Sequence, residues 1–288
     1  MKKRPQYKRY TRSRAGNAVY FIFLFFMGAF SVLPMVYCLC TAFKPLDELL
    51  VFPPRFFVHR PTFANFTELP GLLEKLRVPL SRYLFNSVFV AAVSTVCHIA
   101  VASMAAYVLS KYRLRGGGII FLVIQFSLLY NGTTLAVPQY LIFGKLGIID
   151  TLLVYILPAI PSSMGVFLMK QYMDSGIPDT LLEAARIDGA GVFCMYWRLV
   201  MPLTRPAWMT LLLFAFQGIW STTPASGTIF SEELKTLPYV MSSITDGGTA
   251  RAGSAMAATV ILMIPPIIVY FITQGNVSET MSKSGIKD

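Results

Sequence analysis

Residues 18–43 have the sequence AVYFIFLFFMGAFSVLPMVYCLCTAF, an apolar run that contains no charged side chain. A helix needs about 20 predominantly apolar residues to cross the ~30 Å hydrocarbon core of a bilayer. The apolar region of a signal peptide is only about 7–15 residues long and precedes a cleavage site with small residues. Because this run is longer and ends in Phe43-Lys44-Pro45, we predict that it is a retained transmembrane helix.

Five further apolar segments meet the same length criterion. Their approximate limits are 84–109, 118–137, 150–169, 206–224 and 255–273. With the exception of Asp150 at the edge of the fourth, none of them holds an Asp, Glu, Lys or Arg. We predict an all-α integral membrane protein with six transmembrane helices within 18–273, and a half-helix at Tyr140–Phe143 between the third and fourth spans.

The composition of the whole chain agrees with a membrane protein. Of its 288 residues, 55% are hydrophobic and 14% are charged, whereas soluble domains are about 45–50% apolar and about 25% charged. This excludes a disordered protein, a nucleic-acid-binding domain and a typical soluble enzyme. The net charge of +11 owes much to the N-terminus 1–17, which carries seven Lys and Arg and no acid.

The Lys and Arg residues between the spans predict the orientation, because cytoplasmic loops are enriched in both. Sixteen of them fall on the side of the N-terminus and nine on the other side. The short connection with Lys111, Arg113 and Arg115 belongs to the richer side. We predict a multi-pass protein of the cytoplasmic (inner) membrane, with both the N-terminus and the tail 274–288 in the cytoplasm.

Motifs of ATP hydrolysis and of common hydrolases are missing from the sequence. It contains no GxxxxGK[ST], HExxH or GxSxG, and its two histidines are His59 and His98. No pair of its four cysteines has the spacing of a zinc site, and we interpret them as buried, inert thiols. We predict that the chain is not an enzyme, and that a partner supplies the energy if it drives transport.

The longest cytoplasmic connection, 170–205, has helix signals of its own. Thr180 followed by Glu183 matches a capping box, Pro178 suits a helix start, and Gly189 suits a helix end. A helix of about 10 residues between these signals is too short to span a bilayer. We predict a short helix here that lies at the membrane surface.

A second short helix is predicted over Val192–Val200, ended by Pro202 and Pro206. Together the two helices carry Glu183-Ala184-Ala185, then Gly189, then Leu199-Val200-Met201-Pro202. This pattern resembles the EAA signature of ABC importer permeases, EAA-x3-G-x9-I-x-L-P, with Leu199 and Met201 as apolar exchanges. Asp188-Gly189-Ala190 is similar to the carbohydrate branch of that family.

The resemblance implies that 170–205 is a coupling loop between spans four and five. In such permeases the short helix docks into a cleft of a cytoplasmic ATPase subunit and transmits closure of the ATPase dimer to the membrane helices. ATP and Mg are bound by that ATPase, so the resemblance implies no cofactor in this chain. The implied coupling residues are Glu183, Ala184, Ala185, Asp188, Gly189, Leu199 and Pro202.

The chain looks most similar to the smaller permease of maltose-type sugar importers. Ser231–Pro238 and Ser282–Lys287 are similar to a subgroup linked with complex-oligosaccharide uptake. The resemblance implies a heterodimer with a second, homologous permease chain, an ATPase dimer, an extracellular solute-binding protein and a sugar substrate. It also implies that the outer loop 222–254, with Gly247-Gly248, reaches into the solute-binding protein.

Polar and aromatic side chains inside the spans are candidates for a sugar path. We single out Asn131 and Gln217, with the neighbouring aromatic residues Tyr130 and Trp220. Ser127 and Thr134 lie on the same helical face as Asn131, and Ser221 lies on the same face as Gln217. Ser87, Ser94 and His98 share a face of the second span. The same residue types also pack between membrane helices and form hydrogen bonds across them, so a purely structural role stays open.

Two other functions stay open. The first is an ABC permease for a non-sugar solute, because the EAA loop serves many substrates. The second is a stand-alone secondary transporter or channel, for which an ATPase-docking helix would have no use. Such transporters usually place ionisable groups at membrane depth, and the predicted spans hold no Asp, Glu, Lys or Arg apart from Asp150 at the edge of the fourth.

Overall fold

A computed structural model of the chain describes residues 14–74, 78–129, 135–224, 227–245 and 251–285. Every regular element in these ranges is helical. These elements include a π-helical turn, Tyr196–Val200, and a 3-10 turn, Glu232–Leu234. The α-helices of the described ranges are α1 Arg14–Ala42, α2 Leu46–Leu49, α3 Ala64–Glu74, α4 Leu80–Lys111, α5 Gly117–Ser127, α6 Ala136–Leu146, α7 Leu153–Ala159, α8 Ser163–Gly176, α9 Asp179–Ile187, α10 Val192–Met195, α11 Met201–Leu203, α12 Arg205–Ser221, α13 Leu237–Thr245 and α14 Ala252–Gly285.

Four helical segments of the described ranges are long and apolar enough to cross a membrane: Gly16–Ala42, Leu80–Lys111, Leu153–Gly176 and Ala252–Val277. A fifth candidate is a bent pair, Val192–Leu203 and Arg205–Ser221, in which the second helix is bent away from the first by 79°. The predicted all-α membrane architecture is confirmed, and four to five of the six predicted spans have a counterpart. The last helix, α14, continues past the predicted end at 273 to Gly285.

The predicted third span, 118–137, does not appear as one helix of spanning length. α5 ends at Ser127 after 11 residues, α6 begins at Ala136, and residues 130–134 lie outside the described part of the chain. Eleven helical residues rise only about 16 Å, roughly half of the hydrocarbon core. The helix predicted at Tyr140–Phe143 is confirmed as part of α6.

The predicted fourth span begins and ends later than expected. α7 begins at Leu153, and after a break at 160–162 α8 continues to Gly176. Pro161 lies in the break and has no N–H for a helical hydrogen bond. The hydroxyl of Ser162 then accepts a hydrogen bond from the Gly165 N–H at 2.7 Å. This N-cap explains why the helix starts again at this point.

The second short helix does not end at Pro202, contrary to the prediction. In the π-helical turn the Met201 N–H donates to the Tyr196 carbonyl five residues earlier, and α11 continues to Leu203. This wider turn accommodates a proline, which cannot donate a helical hydrogen bond. The bend follows at Thr204, whose N–H and hydroxyl donate to the Val200 carbonyl at 2.9 and 2.8 Å.

Three clusters of buried side chains connect the helices. The α8–α9 cluster joins the end of α4 to α8, α9 and α12 and includes Ala106, Met169, Met173, Leu182, Met195, Val200 and Ala207. The α6–α7 cluster includes Val90, Phe143, Val154, Tyr155, Ile156 and Ile229. The α13–α14 cluster includes Ala42, Leu69, Tyr83, Leu237, Met241 and Ala257.

α8 packs closely against α4 and α12 because Gly165 has no side chain. A Cβ at this position would lie 3.1 Å from Ala102 Cβ on α4 and 3.2 Å from Leu211 Cδ1 on α12. Small residues permit such close contacts between membrane helices. Gly165 therefore lets α8 lie close to both α4 and α12.

All four cysteines of the chain lie in the described ranges and are free. Cys38 is buried, and Cys40 and Cys97 are half-buried. Cys194 is exposed on α10, so the prediction of a buried thiol is wrong at this position. The reason is that α10 lies at the surface. No group of three or more His, Cys, Asp or Glu suited to a metal ion occurs in the described part of the chain.

Candidate coupling site and solute cavity

The helix that carries Glu183-Ala184-Ala185 is α9, which follows α8 after a two-residue corner. Ile177 is buried, and Pro178 has extended backbone with φ −65° and ψ 137°. Pro178 is the N-cap residue, and no side chain caps the helix. The predicted capping box is therefore wrong, because Thr180 is already the second helical residue and cannot occupy the capping position.

α9 ends where the sequence predicts. Gly189 has φ +82°, in the left-handed region that favours glycine. Its N–H donates to the Arg186 carbonyl at 3.0 Å, and the Ala190 N–H donates to the Ala185 carbonyl at 2.9 Å. These bonds satisfy carbonyl groups that a helix end otherwise leaves free. The predicted helix end at Gly189 is confirmed.

The two sides of α9 differ in burial. Leu182 is 5% exposed and packs into the α8–α9 cluster, and the half-buried Ala185 packs against the same cluster. Glu183, Ala184 and Asp188 are exposed. One face of α9 thus contacts the bundle, while most of the motif side chains lie at the surface.

The last two motif residues lie beyond α9 on the bent helix. Leu199 is half-buried and packs against the α8–α9 cluster, as Ala185 does. Pro202 is exposed. The structure therefore brings Leu199 and Ala185 onto one cluster, and Pro202 remains outside it.

Large apolar side chains are exposed beside the motif. Ile187, the last residue of α9, is 88% exposed, and Phe193 on α10 is 71% exposed. Val192 and Trp197 are exposed as well. Neighbouring exposed apolar groups of this size are typical of surfaces that contact another protein or a membrane.

Lys111, the last residue of α4, stabilises the start of α9. Its Nζ donates to the Ile177 carbonyl at 2.7 Å and to Asp179 Oδ1 at 2.8 Å. The hydrogen bond and the charge of Lys111 lower the pKa of the Asp179 carboxyl below its ordinary value. The sequence alone indicates only that Lys111 is a basic residue of a cytoplasmic connection. The available signal was a basic residue in the last turn of α4 and an acid in the first turn of α9.

Two more contacts connect α8 and α9 to the end of α4. The Ser110 hydroxyl on α4 donates to Asp174 Oδ1 on α8 at 2.6 Å, and Lys170 Nζ holds the same carboxylate from within α8, with 2.6 Å to Oδ2. The guanidinium of Arg186 lies 5.5 Å from the ring centroid of Tyr112, within cation–π distance. Through these contacts, α4, α8 and α9 form one connected unit.

A cavity of about 360 Å³ lies between α4, α6, α7 and α12. Its described lining contains no Asp, Glu, Lys or Arg. Aromatic walls with a few polar groups are typical of small-molecule sites. The aromatic and polar residues of the lining are His98, Gln139, Tyr140, Phe143, Tyr155, Phe214, Thr222, Thr223 and Thr228.

His98 places an imidazole ring in the wall of this cavity. Its Nδ1 lies 2.7 Å from the carbonyl oxygen of Ala159, the last residue of α7. The contact joins the middle of α4 to the helix before the break at 160–162. From the sequence alone, His98 is only one of several polar residues on a face of the second span.

The predicted path residues of α12 lie outside this cavity. Gln217 is exposed. Trp220 is 4% exposed, and its indole N–H donates to the Leu262 carbonyl on α14 at 3.0 Å. Trp220 also lines a second cavity of about 390 Å³ between α12 and α14.

The predicted path residues Tyr130 and Asn131, and also Thr134, lie outside the described residues. Ser127 donates to the Ile124 carbonyl at 2.7 Å and forms a hydrogen bond with Ser163 on α8. Ser87 accepts from the Leu237 N–H at 2.7 Å and donates to the Tyr83 carbonyl at 2.8 Å. These two serines make contacts between helices.

Asp150 binds part of the predicted outer loop. Its carboxylate accepts hydrogen bonds from the Ser231 hydroxyl at 2.6 Å and from the Ser231 and Phe230 N–H groups at 2.9 Å. These hydrogen bonds lower the pKa of the Asp150 carboxyl below its ordinary value, and the bond from the Ser231 hydroxyl has the greatest effect. Gly247-Gly248, the flexible tip predicted for this loop, lies outside the described residues.

Comparison with known families identifies the architecture. The family of binding-protein-dependent transport system inner membrane components matches residues 9–283. The chain belongs to this family. It is therefore a multi-pass inner membrane component of a transport system rather than an enzyme, and the resemblance inferred from the motif at 183–202 is confirmed.

Related permeases match the chain over almost its full length. AraQ of Bacillus subtilis strain 168, an arabinooligosaccharides transport system permease, is 26% identical over 284 residues, 98% of both chains. The inner membrane ABC transporter permease YcjP of Escherichia coli K12 is 25% identical over 260 residues, 89% of this chain and 91% of YcjP. The structure of a bacterial ABC transporter involved in import of the acidic polysaccharide alginate contains a chain with a TM-score of 0.76. Its sequence is 23% identical, and the match covers 93% of this permease and 99% of that chain. The two proteins therefore share a fold.

Proposed function

We propose that this permease is a subunit of an ATP-driven, binding-protein-dependent importer of sugars, with oligosaccharides as the substrate class. The observation that carries the proposal is the position of α9. This exposed short helix lies between two candidate spans, Leu153–Gly176 and the bent pair, in a chain of the permease family. The names of relatives such as AraQ support a saccharide substrate.

α9 is the element that docks on an ATPase subunit in this proposal. Glu183, Ala184 and Asp188 offer exposed polar and small groups, and the exposed Ile187 and Phe193 add apolar area. The small Ala184 lets a partner approach the helix backbone closely. The contacts of Lys111 and Asp174 then carry a displacement of α9 into α4 and α8. ATP and Mg belong to the ATPase subunits.

The permease works beside a second, homologous permease chain, with a solute-binding protein on the outer side. It has six spans and cytoplasmic termini, an orientation supported by the distribution of 25 Lys and Arg residues. The side chains of α1 require a hydrophobic environment, because Phe21, Phe25 and Phe30 are each at least 67% exposed. Lipid or the second permease covers such side chains.

The 360 Å³ cavity is this chain's part of the sugar path in the proposal. Aromatic rings pack on the apolar faces of sugars, and hydroxyl, amide and imidazole groups exchange hydrogen bonds with sugar hydroxyls. The described lining has no Lys or Arg that could pair with a phosphate or another anionic solute. This disfavours the alternative of an anionic non-sugar substrate.

Crosslinking in the assembled complex tests the docking of α9. A cysteine in place of Ala184 should form a crosslink with the ATPase subunit, and the exposed Thr67 on α3 provides the control position, at which we expect no crosslink. Glu183→Arg should lower sugar-stimulated ATPase activity and import together. An equal crosslink yield at both positions, or a fully active Glu183→Arg complex, would contradict the proposed coupling.

A further inference from the structure

The hydrogen bond between His98 and Ala159 determines which ring nitrogen carries the proton. A carbonyl oxygen only accepts hydrogen bonds. The 2.7 Å contact with Nδ1 is therefore a bond in which Nδ1 donates its proton. In a neutral imidazole with Nδ1–H, the other nitrogen Nε2 has a lone pair and acts as an acceptor.

The cavity keeps this acceptor available for a ligand. Among the described residues, Nε2 of His98 has no hydrogen-bond partner, although His98 lines the cavity. The described lining contains no carboxylate that would stabilise a positively charged ring. His98 is half-buried, so water or a ligand in the cavity can reach the lone pair and donate a hydrogen bond to it.

We propose that His98 is a specificity-determining residue of the solute path, whose Nε2 accepts a hydrogen bond from a hydroxyl group of an uncharged sugar unit in the cavity. A uronate unit keeps hydroxyl groups, but its carboxylate only accepts hydrogen bonds and meets no Lys or Arg in the described lining, so its charge stays unpaired in the cavity. The site selects neutral saccharides over acidic ones. This inference rests on the proposed sugar import and assigns one contact within it.

The tautomer is directly measurable, because the chain has only two histidines. Transporter complexes that contain ¹⁵N-histidine only in this chain give two imidazole signals, and His59→Gln assigns them. We expect His98 to show a protonated Nδ1 and an unprotonated Nε2. A protonated Nε2, as the Nε2–H tautomer or as imidazolium, overturns the proposal.

Ligand selectivity is measured on the same samples. Arabinotriose, maltotriose and lactose serve as neutral probes, and trigalacturonate serves as the acidic probe. We expect at least one neutral probe to shift the Nε2 resonance of His98 and trigalacturonate to leave it unchanged. A shift with trigalacturonate, or no shift with any neutral probe, overturns the selectivity.

Two isosteric variants separate ligand contact from helix contact. In His98→Asn the side-chain amide lies near the position of Nδ1, and in His98→Gln it lies near that of Nε2. We expect His98→Asn to raise the KM for import about three- to tenfold, the value of one hydrogen bond, with an unchanged melting temperature. His98→Gln should keep KM and lower the melting temperature.

The results also distinguish this contact from the broader function. An unchanged KM in His98→Asn, or an equal rise in both variants, overturns the ligand role of His98. If the complex imported none of the neutral or acidic saccharides, sugar import would be overturned even when His98 is the Nδ1–H tautomer. The assigned contact would then be overturned with it. Sugar import with a normal KM in His98→Asn would overturn the assigned contact alone.

Discussion

Lys111 Nζ and Asp179 Oδ1 lie 2.8 Å apart and join the last turn of α4 to the first turn of α9. The Lys111 side chain is 5% exposed, whereas that of Asp179 is 78% exposed. The same ammonium group donates to the Ile177 carbonyl in the corner before α9. The buried ammonium group of Lys111 on α4 thus positions both the corner before α9 and the first residue of α9.

Replacement of this cation should uncouple the permease without unfolding it. Lys111→Met keeps the length of the side chain and removes both donated bonds, while the exposed Asp179 stays hydrated. We expect sugar-stimulated ATPase activity and import to fall several-fold at normal membrane levels. Lys111→Arg should retain more activity, and Arg113→Met, at an exposed position of the same connection, is the matched control. Full import by Lys111→Met would contradict the positioning role.

The contact should also tolerate mild acid. Because the pKa of Asp179 is lowered from 3.8, its stabilisation is complete above the ordinary carboxyl range and is lost only as the pH falls through the lowered value. The ratio of import between Lys111→Met and the unmodified permease should therefore stay constant from about pH 8 to about pH 5, where the carboxylate is ionised. If the ratio approached one near pH 5, the pair of Lys111 and Asp179 would be breaking at a higher pH than the lowered pKa of Asp179 predicts.

Gly189 should be sensitive to substitution, and Gly191 should not. Both positions have open space for a Cβ, but only Gly189 has a positive φ. Gly189→Val should cost about 1–2 kcal/mol of local strain and misalign α10 relative to α9. Gly191 has φ −70° and ψ 161°, which valine adopts readily. We expect ATPase stimulation and import to fall only in Gly189→Val; equal activity of both variants would refute the prediction.

A side chain at Gly218 should block the cavity. Gly218 lines it, and a Cβ there meets no atom within 4 Å. Gly218→Leu should fill part of the 360 Å³ without a backbone clash, and it replaces glycine by a better helix former. Import should be lost while assembly with the partner chains stays normal. Gly28→Leu on α1, where space is also open, is the control; normal import by Gly218→Leu would place the sugar path elsewhere.

Asp150 should determine the order of the loop segment 227–231. Asp150→Ala removes the acceptor of three hydrogen bonds and places alanine at φ +60°, which favours Asn, Asp or Gly. We expect this variant to be cleaved faster by protease near Phe230. Asp150→Asn keeps a carbonyl acceptor and the tolerated backbone, so its cleavage should stay close to that of the unmodified chain. Identical rates for the two variants would argue against a stabilising role of the carboxylate.

The positions of the membrane helices were predictable from the sequence because they depend on local properties. Apolar runs of spanning length located α1, α4, α12 and α14, and these runs need no knowledge of distant partners. The end of α9 was predictable for the same reason, because Gly189 satisfies a local backbone requirement. The spaced motif 183–202 was sufficient to indicate the permease family.

Only the tertiary structure decided how α9 and the cavity are built. Lys111 contacts residues 66 and 68 positions later in the chain, and His98 contacts a residue 61 positions later. Such pairs depend on the packing of α4 against α8 and α7, which no local pattern reports. The π-helical turn and the 79° bend at Thr204 likewise overrode the local tendency of Pro202 to end a helix, because burial of Val200 and Ala207 in the α8–α9 cluster stabilises the continued helix.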